Sequence, residues 1–289
     1  MKNKPSAARA GMSVSMIIFG TIALFTRAIP LSSGALALCR AVLAAGFVAA
    51  YLRISGRRLS LSAIRAELPL LLLSGFVMGV NWILLFEAYR YTTVSIATLS
   101  YYFAPVIVTV ASPLLFHEKM SRTQIFCFIM ATIGLAMIVG VGDTAVPGEH
   151  MKGILFGFGA ACLYATVILL NKKIQSVSGL ERTLIQFAGA ILVLTPYVLS
   201  TGGVHLGALT LSGGLCLLVL GFVHTGFAYC LYFSSLKDLT GHEAAILSYI
   251  DPLIAVLLSV LVLGEAMTPL QAVGGAMILG FTLISERCG

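Results

Sequence analysis

The chain has 289 residues, of which 59% are hydrophobic and 10% are charged, whereas about 25% of the residues in an ordinary soluble domain are charged. One water-soluble core cannot bury so much apolar surface, so the composition excludes a soluble globular protein. The net charge of +7 does not indicate nucleic-acid binding, because the basic residues lie in short gaps between apolar segments and not on one exposed face or tail. The composition predicts an all-α polytopic membrane protein.

Ten apolar segments follow one another along the chain, and a hydrocarbon core about 30 Å thick needs roughly 20 helical residues to be crossed. In chain order they are residues 11–29, 31–53, 69–90, 94–116, 122–142, 153–171, 182–200, 208–232, 243–264 and 268–285. The basic stretch from Met1 to Lys4 precedes the first segment, as in a signal peptide. No small-residue cleavage site follows, so the first segment is predicted to be a retained anchor.

The distribution of Lys and Arg tests this division and orients it. With ten alternating segments, 14 of the 18 basic residues fall on one side, while Arg27, Arg90 and Lys152 fall on the other and Arg40 lies inside a segment. Lys and Arg collect in cytoplasmic loops, so both termini are predicted to be cytoplasmic, and we expect the protein in the cytoplasmic membrane. Nine or eleven helices would break the alternation.

An internal repeat relates the two halves of the chain at an offset of 147 residues. The most informative matches are polar residues and prolines, namely Thr93/Thr240, Tyr102/Tyr249, Pro105/Pro252, Glu118/Glu265 and Gln124/Gln271. Ser121 to Gln124 and Thr268 to Gln271 both form the pattern of a capping box at a helix start. The repeat divides the chain into residues 1–145 and 146–289, with five segments each. Because five is odd, the two halves are predicted to form an inverted-topology repeat.

The repeated segments resemble a known domain. Ser95 to Glu118 and Ala244 to Glu265 each combine a small-residue helix start, a mid-helix proline and a terminal Glu, and a final helix follows. This pattern resembles the EamA domain of the drug/metabolite transporter superfamily, and two tandem copies account for the whole chain. The resemblance implies ten transmembrane helices and transport activity. It leaves the substrate open among amino acids, nucleotide sugars, other metabolites and drugs.

Arg40 is the charged residue that lies deepest in a predicted segment, nine residues from its outer end and therefore near the membrane midplane. A charge at that depth costs about 2.5–3.5 kcal/mol, so it should face a cavity or a partner. We predict that Arg40 binds a carboxylate or phosphate of the substrate. The alternative is a structural Arg that pairs with helix-end carbonyl groups or with a Glu.

Asp251 directly precedes Pro252, whereas the matching Pro105 follows Ala104. A proline frees a carbonyl group and kinks a helix, and the resulting flexible point often borders a cavity. Asp251 is therefore a candidate for proton coupling or for binding an amine, and the two prolines are candidates for gating. A buried, hydrogen-bonded acid is the alternative for Asp251.

Aromatic and amide side chains supply further candidates for substrate binding. Asn81 and Trp82 lie near the middle of the third segment, although Trp is also common in helix packing. Tyr101, Tyr102 and Tyr249 flank the repeated prolines, where we expect the two halves to meet. They could contact the substrate by hydrogen bonding and stacking.

Four other ionisable residues have structural alternatives. His224 is a candidate for substrate binding that could equally form an interhelical hydrogen bond. Glu87 could take part in gating, or it could pair with Arg90 at the membrane surface. Glu118 and Glu265 are the acids of the repeated motif, and we expect them to anchor the turns into the next helices.

These features predict a secondary transporter that moves a small solute by alternating access, with its site between the two halves. Arg40 favours an amino acid or a related zwitterionic or anionic metabolite, and the family resemblance favours export. A drug or organic-cation exporter is the main alternative, and a channel or an intramembrane enzyme is less favoured. An enzyme is not expected, because the chain lacks HExxH, GxSxG and acids paired beside a nucleophile.

The expected partners follow from the same features. They are the solute, membrane lipid and, as a candidate coupling ion, the proton, whereas no nucleic acid is expected. Five of the six cysteines lie singly in apolar segments, so no metal is predicted. No cofactor or nucleotide is expected either, because no GxxxxGK[ST] loop is present. A monomer and a homodimer both remain open.

Overall fold

A computed structural model of the chain describes residues 4–56, 59–116, 121–139, 148–236, 238–239 and 247–287. Within these ranges, all regular secondary structure is helical. The helices are α1 (Lys4–Gly20), α2 (Ile22–Arg27), α3 (Ser33–Ile54), α4 (Leu61–Tyr91), α5 (Val94–Tyr101), α6 (Ala104–Phe116), α7 (Arg122–Val139), α8 (Gly148–Lys173), α9 (Gly179–Ser200), α10 (Leu211–Leu218), α11 (Ala228–Leu236), α12 (Ile250–Leu261) and α13 (Pro269–Arg287). A 3-10 turn (Leu206–Ala208) precedes α10, and a π-helix (Val219–Phe227) joins α10 to α11.

Among the described residues, six helical segments are long and apolar enough to cross a membrane, and each overlaps one of the predicted spans. They are Ser6–Arg27, Ser33–Ile54, Leu61–Tyr91, Glu149–Lys173, Gly179–Ser200 and Leu211–Tyr232. Shorter apolar helices overlap the other four predicted spans, at Val94–Val108, Arg122–Ile138, Ile250–Leu261 and Pro269–Ile284. The chain is therefore an all-helical integral membrane protein, and the crossing of all ten segments stays a prediction.

Helix α4 is longer than the predicted third segment. The third segment was expected to begin at residue 69, but α4 begins at Leu61 and continues through Pro69. Membrane helices tolerate an internal proline because neighbouring groups can satisfy the freed carbonyl. The proline therefore did not mark a helix start.

The two predicted capping boxes are confirmed. The Ser121 N–H donates to Gln124 Oε1 at 2.8 Å, and the Gln124 N–H donates back to Ser121 Oγ at 3.2 Å. The Thr268 N–H donates to Gln271 Oε1 at 3.0 Å, and the reciprocal bond is 3.2 Å long. Both repeats thus enter their last helix, α7 or α13, through the same turn.

The helix contacts join the two halves of the chain into one bundle. Helix α4 packs against α8 and α9, while α11 and the π-helix pack against α1 and α3. Helix α7 packs against α13, and α5 packs against α12. Each of these pairs contains one helix from either side of residue 145. The interior where α3, α4, α5, α12 and the π-helix meet therefore draws on both halves.

Glycines allow α4 and α9 to cross closely. A Cβ atom at Gly75 would collide with the main chain of Gln186, and one at Gly189 would lie 2.9 Å from the Leu72 carbonyl oxygen. Small residues let helix backbones approach each other, which is a main source of helix association in lipid. The Gly75-x-x-x-Gly79 spacing in the sequence therefore marks an actual helix crossing.

We expect Gly75→Ala to destabilise the protein and the control Gly46→Ala to leave it unchanged or slightly more stable. A Cβ atom at Gly46, in α3, would meet no atom within 4 Å, and alanine in a helix is favoured over glycine by roughly 0.5–1 kcal/mol. Overpacking at Gly75 should cost about 1–3 kcal/mol. Melting temperatures of the purified proteins in detergent give the comparison, and equal values for the two variants would argue against the close crossing.

Candidate substrate-binding site

Two helix interruptions are in contact inside the bundle. The chain turns at Tyr102 and Phe103 between α5 and α6, shortly before Pro105. Helix α12 begins directly after a turn at Tyr249, with Pro252 as its third residue. Both repeated prolines thus lie beside helix breaks, as a proline kink predicts.

Asp251 joins these two interruptions. The Tyr102 hydroxyl donates a hydrogen bond of 2.5 Å to the Asp251 carboxylate, so α5 and α12 are tied together at this point. Asp251 is partly buried and lies in the first turn of α12, where free N–H groups favour a carboxylate. The acid is therefore both hydrogen-bonded and accessible in part, which keeps both roles considered for it open.

Arg40, on α3, is buried, with 3% of its surface exposed. Its Nε donates a 2.6 Å hydrogen bond to Thr225 Oγ1, and the Thr225 hydroxyl itself donates to the Leu220 carbonyl oxygen at 2.8 Å. The guanidinium carbon lies 4.5 Å from the centre of the Trp82 ring and 5.7 Å from that of Phe86. In the part of the chain that the structure describes, no carboxylate pairs with Arg40. A buried cation of this kind can bind an anionic group in the plane of its nitrogen atoms.

His224, in the π-helix, contacts other protein groups through both of its ring nitrogens. His224 is 2% exposed, its Nε2 lies 2.8 Å from Thr21 Oγ1 at the junction of α1 and α2, and its Nδ1 lies 3.3 Å from the Val219 carbonyl oxygen. Phe25 packs on the same ring at 4.7 Å. Because both ring nitrogens contact protein groups, the geometry favours the interhelical hydrogen bond over direct substrate contact.

Two tyrosines lie near both Arg40 and Asp251. Tyr101 stacks on Tyr164 with ring centres 5.2 Å apart. Tyr101 and Tyr229 are each close enough to interact electrostatically with both the guanidinium and the carboxylate. The interior thus contains a cation on α3 and an acid on α12, and the same tyrosines interact with both.

Four residues of this region were missed by the sequence analysis. They are Thr225, Tyr164, Phe187 and Tyr229, of which Phe187 packs between Trp82 and Tyr229 with ring centres 5.9 and 5.7 Å away. They lie on α8, α9, the π-helix and α11, outside the repeated motif. An aromatic residue in an apolar segment looks the same in sequence whether it lines a site or packs a core.

Three other residues that the sequence analysis named as candidates lie near this region, and their contacts differ. The Asn81 amide nitrogen donates a 2.6 Å hydrogen bond to the Ala160 carbonyl oxygen, so it ties α4 to α8. Glu87 pairs with Arg90 at 3.1 Å, with an exposed arginine side chain, which matches the surface-pair alternative. Tyr249 is buried at the residue before α12.

Glu265 links helices at the predicted outer end of the bundle. One carboxylate oxygen accepts hydrogen bonds from the Val94 N–H at 2.7 Å and from the Ser259 hydroxyl, and the other pairs with Arg27 Nη2 at 2.5 Å. Val94 is the first residue of α5, so Glu265 caps a helix of the other half and does not only anchor its own turn. A carboxylate is favoured there by the free N–H groups and the helix dipole. Glu118, the matching acid, lies outside the described residues.

We expect Glu265→Gln to lower the melting temperature, because the amide cannot replace both the ion pair and the cap. Leaving these partners unsatisfied costs about 1–3 kcal/mol. The control is Glu149→Gln, whose pair with Lys152 is more than half exposed on both sides and should contribute little. The same melting temperature for both variants would contradict the claim that the contacts of Glu265 stabilise the bundle.

Ionisable residues inside a bundle of apolar helices, such as Arg40 and Asp251, commonly mark the paths of solutes or ions through membrane proteins. A profile of the EamA-like transporter family matches residues 10–140 and 151–286, so the chain belongs to this family. It is 31% identical over 289 residues to the uncharacterized transporter YxxF of Bacillus subtilis (strain 168), a match that covers 98% of the chain and 91% of the relative.

Two further similarities agree with this assignment. The chain is 24% identical over 230 residues to a probable amino-acid metabolite efflux pump of Salmonella typhimurium (strain LT2), which covers 74% of the chain and 76% of the relative. A protein crystal structure shares the fold with a TM-score of 0.69 at 18% identity, covering 97% of this chain and 98% of the other. The family assignment confirms the resemblance inferred from the repeated motif, and it indicates a transporter rather than an enzyme.

Proposed function

We propose that the protein is a secondary transporter that moves an amino acid or a related zwitterionic metabolite across the cytoplasmic membrane, in the direction of export. The observation that carries this proposal is that Arg40 has no carboxylate partner among the described residues, while Tyr101 and Tyr229 interact with both Arg40 and Asp251. A zwitterion offers a carboxylate to Arg40 and an ammonium group to Asp251. The rings of Tyr101, Tyr229 and Trp82 would contact the rest of the solute.

The transport cycle that fits this site is alternating access by an inverted repeat. All ten apolar segments would cross the membrane, with residues 1–145 and 146–289 as the two repeats and both termini in the cytoplasm. The exchange of helix contacts between the halves supports this arrangement, because inverted repeats can swap conformations around a fixed central site. The breaks beside Pro105 and Pro252 are the points where the fourth and ninth segments would bend.

Protons are the coupling ion that this site favours. Asp251 is an ionisable group inside the bundle, and such groups commonly serve as proton relays in transporters. When Asp251 is ionised it can bind the ammonium group of the solute, and when it is protonated it cannot. Binding of solute and of proton would therefore exclude each other, which is the requirement for exchange.

The similarity to a probable amino-acid metabolite efflux pump supports both the substrate class and the direction. A second candidate is a drug or organic-cation exporter, which Asp251 and the surrounding aromatic rings favour because cations bind over aromatic faces. Such an exporter would not need Arg40, so the two candidates differ in the group that recognises the solute.

The deciding experiment is an uptake and counterflow screen in proteoliposomes with amino acids and analogues that lack one charge. We expect transport of amino acids, and rates roughly tenfold or more lower for the analogue without the amine and for the analogue without the carboxylate. Empty liposomes are the control. Equal transport of amines that lack a carboxylate would favour the cation exporter. Electrical currents far above carrier rates would indicate a channel instead.

A further inference from the structure

A cavity of about 680 Å³ opens on the predicted outer side of the bundle, between the start of α3 and the end of α4. We name it the outer vestibule, and the lining residues that matter here are Arg27, Leu31, Ser33, Phe86, Tyr89 and Arg90. It is distinct from the interior region between Arg40 and Asp251, neither of which lines it.

Ser33 is the vestibule residue whose unsatisfied hydroxyl indicates a bound ligand. Its side chain is 2% exposed, and its hydroxyl has no hydrogen-bond partner among the residues that the structure describes. A buried hydroxyl without a partner costs roughly 1–3 kcal/mol. A bound polar group in the vestibule would remove that cost.

The charge around Ser33 suits an anion. Ser33 begins α3, a helix of 22 residues, and the N–H groups at a helix start bind anions. Within the described ranges, the N–H groups of Ser33 and Gly34 have no backbone acceptor. Arg27 and Arg90 also line the vestibule. Each is paired with one acid, Arg27 with Glu265 at 2.5 Å and Arg90 with Glu87 at 3.1 Å, but a guanidinium has five N–H donors and keeps others for an anion.

The vestibule ends beside the interior site. The Phe86 ring lines the vestibule and also lies 5.7 Å from the guanidinium carbon of Arg40. Tyr89 lines it too and is close enough to interact electrostatically with Arg40 and Asp251. Since a helix rises 1.5 Å per residue, Arg40 lies about 10 Å inward from Ser33 along α3. Two aromatic side chains, Phe86 and Tyr89, therefore lie where the two regions approach each other.

We propose that the outer vestibule is a separate binding site for the carboxylate of a small organic solute. The Ser33 hydroxyl and the first N–H groups of α3 bind the carboxylate, and Arg90 attracts it. A solute released from Arg40 past Phe86 would occupy this site on its way out. This step rests on the proposed function, but binding in the vestibule requires no transport and can be measured by itself.

The test uses a cysteine at Leu31, which lines the vestibule, in a variant whose six native cysteines are replaced. The control is a cysteine at Leu206, which is exposed on the same predicted side. We compare modification by a negatively charged and by a positively charged methanethiosulfonate. The rate ratio of the negative to the positive reagent should be roughly tenfold higher at Leu31→Cys than at Leu206→Cys. Adding Ser33→Ala and Arg90→Gln should lower it toward the control.

Sodium benzoate, with neutral benzamide as its match, tests the ligand class. Benzoate should slow the modification of Leu31→Cys, benzamide should not, and neither should affect Leu206→Cys. Equal charge ratios at the two cysteines, or an unreactive Leu31→Cys, would overturn the proposal. Protection by inorganic phosphate without protection by benzoate would also overturn it, because it would assign the site to an inorganic anion.

Arg40→Ala separates this inference from the proposed function. That substitution should abolish amino-acid transport and leave benzoate protection at Leu31→Cys intact, because Arg40 does not line the vestibule. If benzoate protection is lost in Arg40→Ala, the vestibule is only an extension of the interior site, and the proposal of a separate site fails. If transport persists while protection is intact, the proposed function fails alone.

Discussion

Replacing Arg40 with alanine should abolish solute transport while the bundle remains folded. Removing one member of a buried charge pair in a complex costs about 2–5 kcal/mol, which corresponds to a loss of affinity of roughly 30-fold or more. The Arg40 guanidinium has no carboxylate partner among the described residues. Its removal therefore leaves no unpaired acid behind in the described interior. The lost contacts with Thr225 and Trp82 should lower the melting temperature, but the purified variant should still show a single cooperative transition.

Trp82 offers a direct readout of this effect. It is the only tryptophan in the chain, and its ring centre lies 4.5 Å from the Arg40 guanidinium carbon. Solute binding to the native protein should change the fluorescence of Trp82. In a titration followed by this signal, Arg40→Ala should raise the dissociation constant of the solute by roughly 30-fold or more. Arg40→Lys keeps the charge without the planar fork and should give an intermediate value. Cys39→Ala, at the neighbouring position of α3, is the control. Unchanged affinity in Arg40→Ala would place the site elsewhere.

The membrane architecture could be predicted because it depends on local properties. In lipid every backbone group must be satisfied within its own helix, so length and hydropathy reveal a helix without knowledge of its neighbours. The capping boxes at Ser121 and Thr268 were recognisable for the same reason, since both partners are three residues apart. The continuation of α4 upstream of Pro69 could not be predicted in this way, because helix continuation past a proline depends on neighbouring groups.

Arg40 and Asp251 of the candidate site could be singled out from the sequence, whereas several of the aromatic residues near them could not. Arg40 and Asp251 can be recognised in the sequence because an ionisable group in an apolar segment costs free energy, whichever way its side chain points. Phe187 and Tyr229 have no charge that would distinguish them from other aromatic residues in apolar segments. Only the packing of α9 and α11 brings them together.

Helix rotation explains why Asn81 and Trp82 differ. Neighbouring residues on a helix point about 100° apart, so Trp82 faces Arg40 while Asn81 reaches the Ala160 carbonyl oxygen on α8. Their order in the sequence does not reveal which of the two faces the interior. That choice is made by the helices that pack around α4.

The substitution Asp251→Asn should reduce the affinity for a zwitterion as strongly as Arg40→Ala does, by roughly 30-fold or more. Asparagine has nearly the same shape, and its carbonyl oxygen can still accept the hydrogen bond from Tyr102, so the change removes mainly the negative charge. The two variants should differ in what they still recognise. Asp251→Asn should keep its affinity for a carboxylic acid that lacks the amine, whereas Arg40→Ala should keep its affinity for an amine that lacks the carboxylate.

Tyr102→Phe distinguishes this recognition role from a purely structural acid. It removes the hydroxyl that bonds to Asp251 and leaves the carboxylate in place. If Asp251 serves only to tie α12 to α5, Tyr102→Phe should lower the melting temperature more than Asp251→Asn, which keeps an acceptor for the Tyr102 hydroxyl, and neither should change the preference among the charge analogues. If Asp251 binds the ammonium group and exchanges it for a proton, only Asp251→Asn should remove that preference. Uptake by Asp251→Asn should then also lose its response to an imposed pH gradient, because no ionisable group would remain at this position.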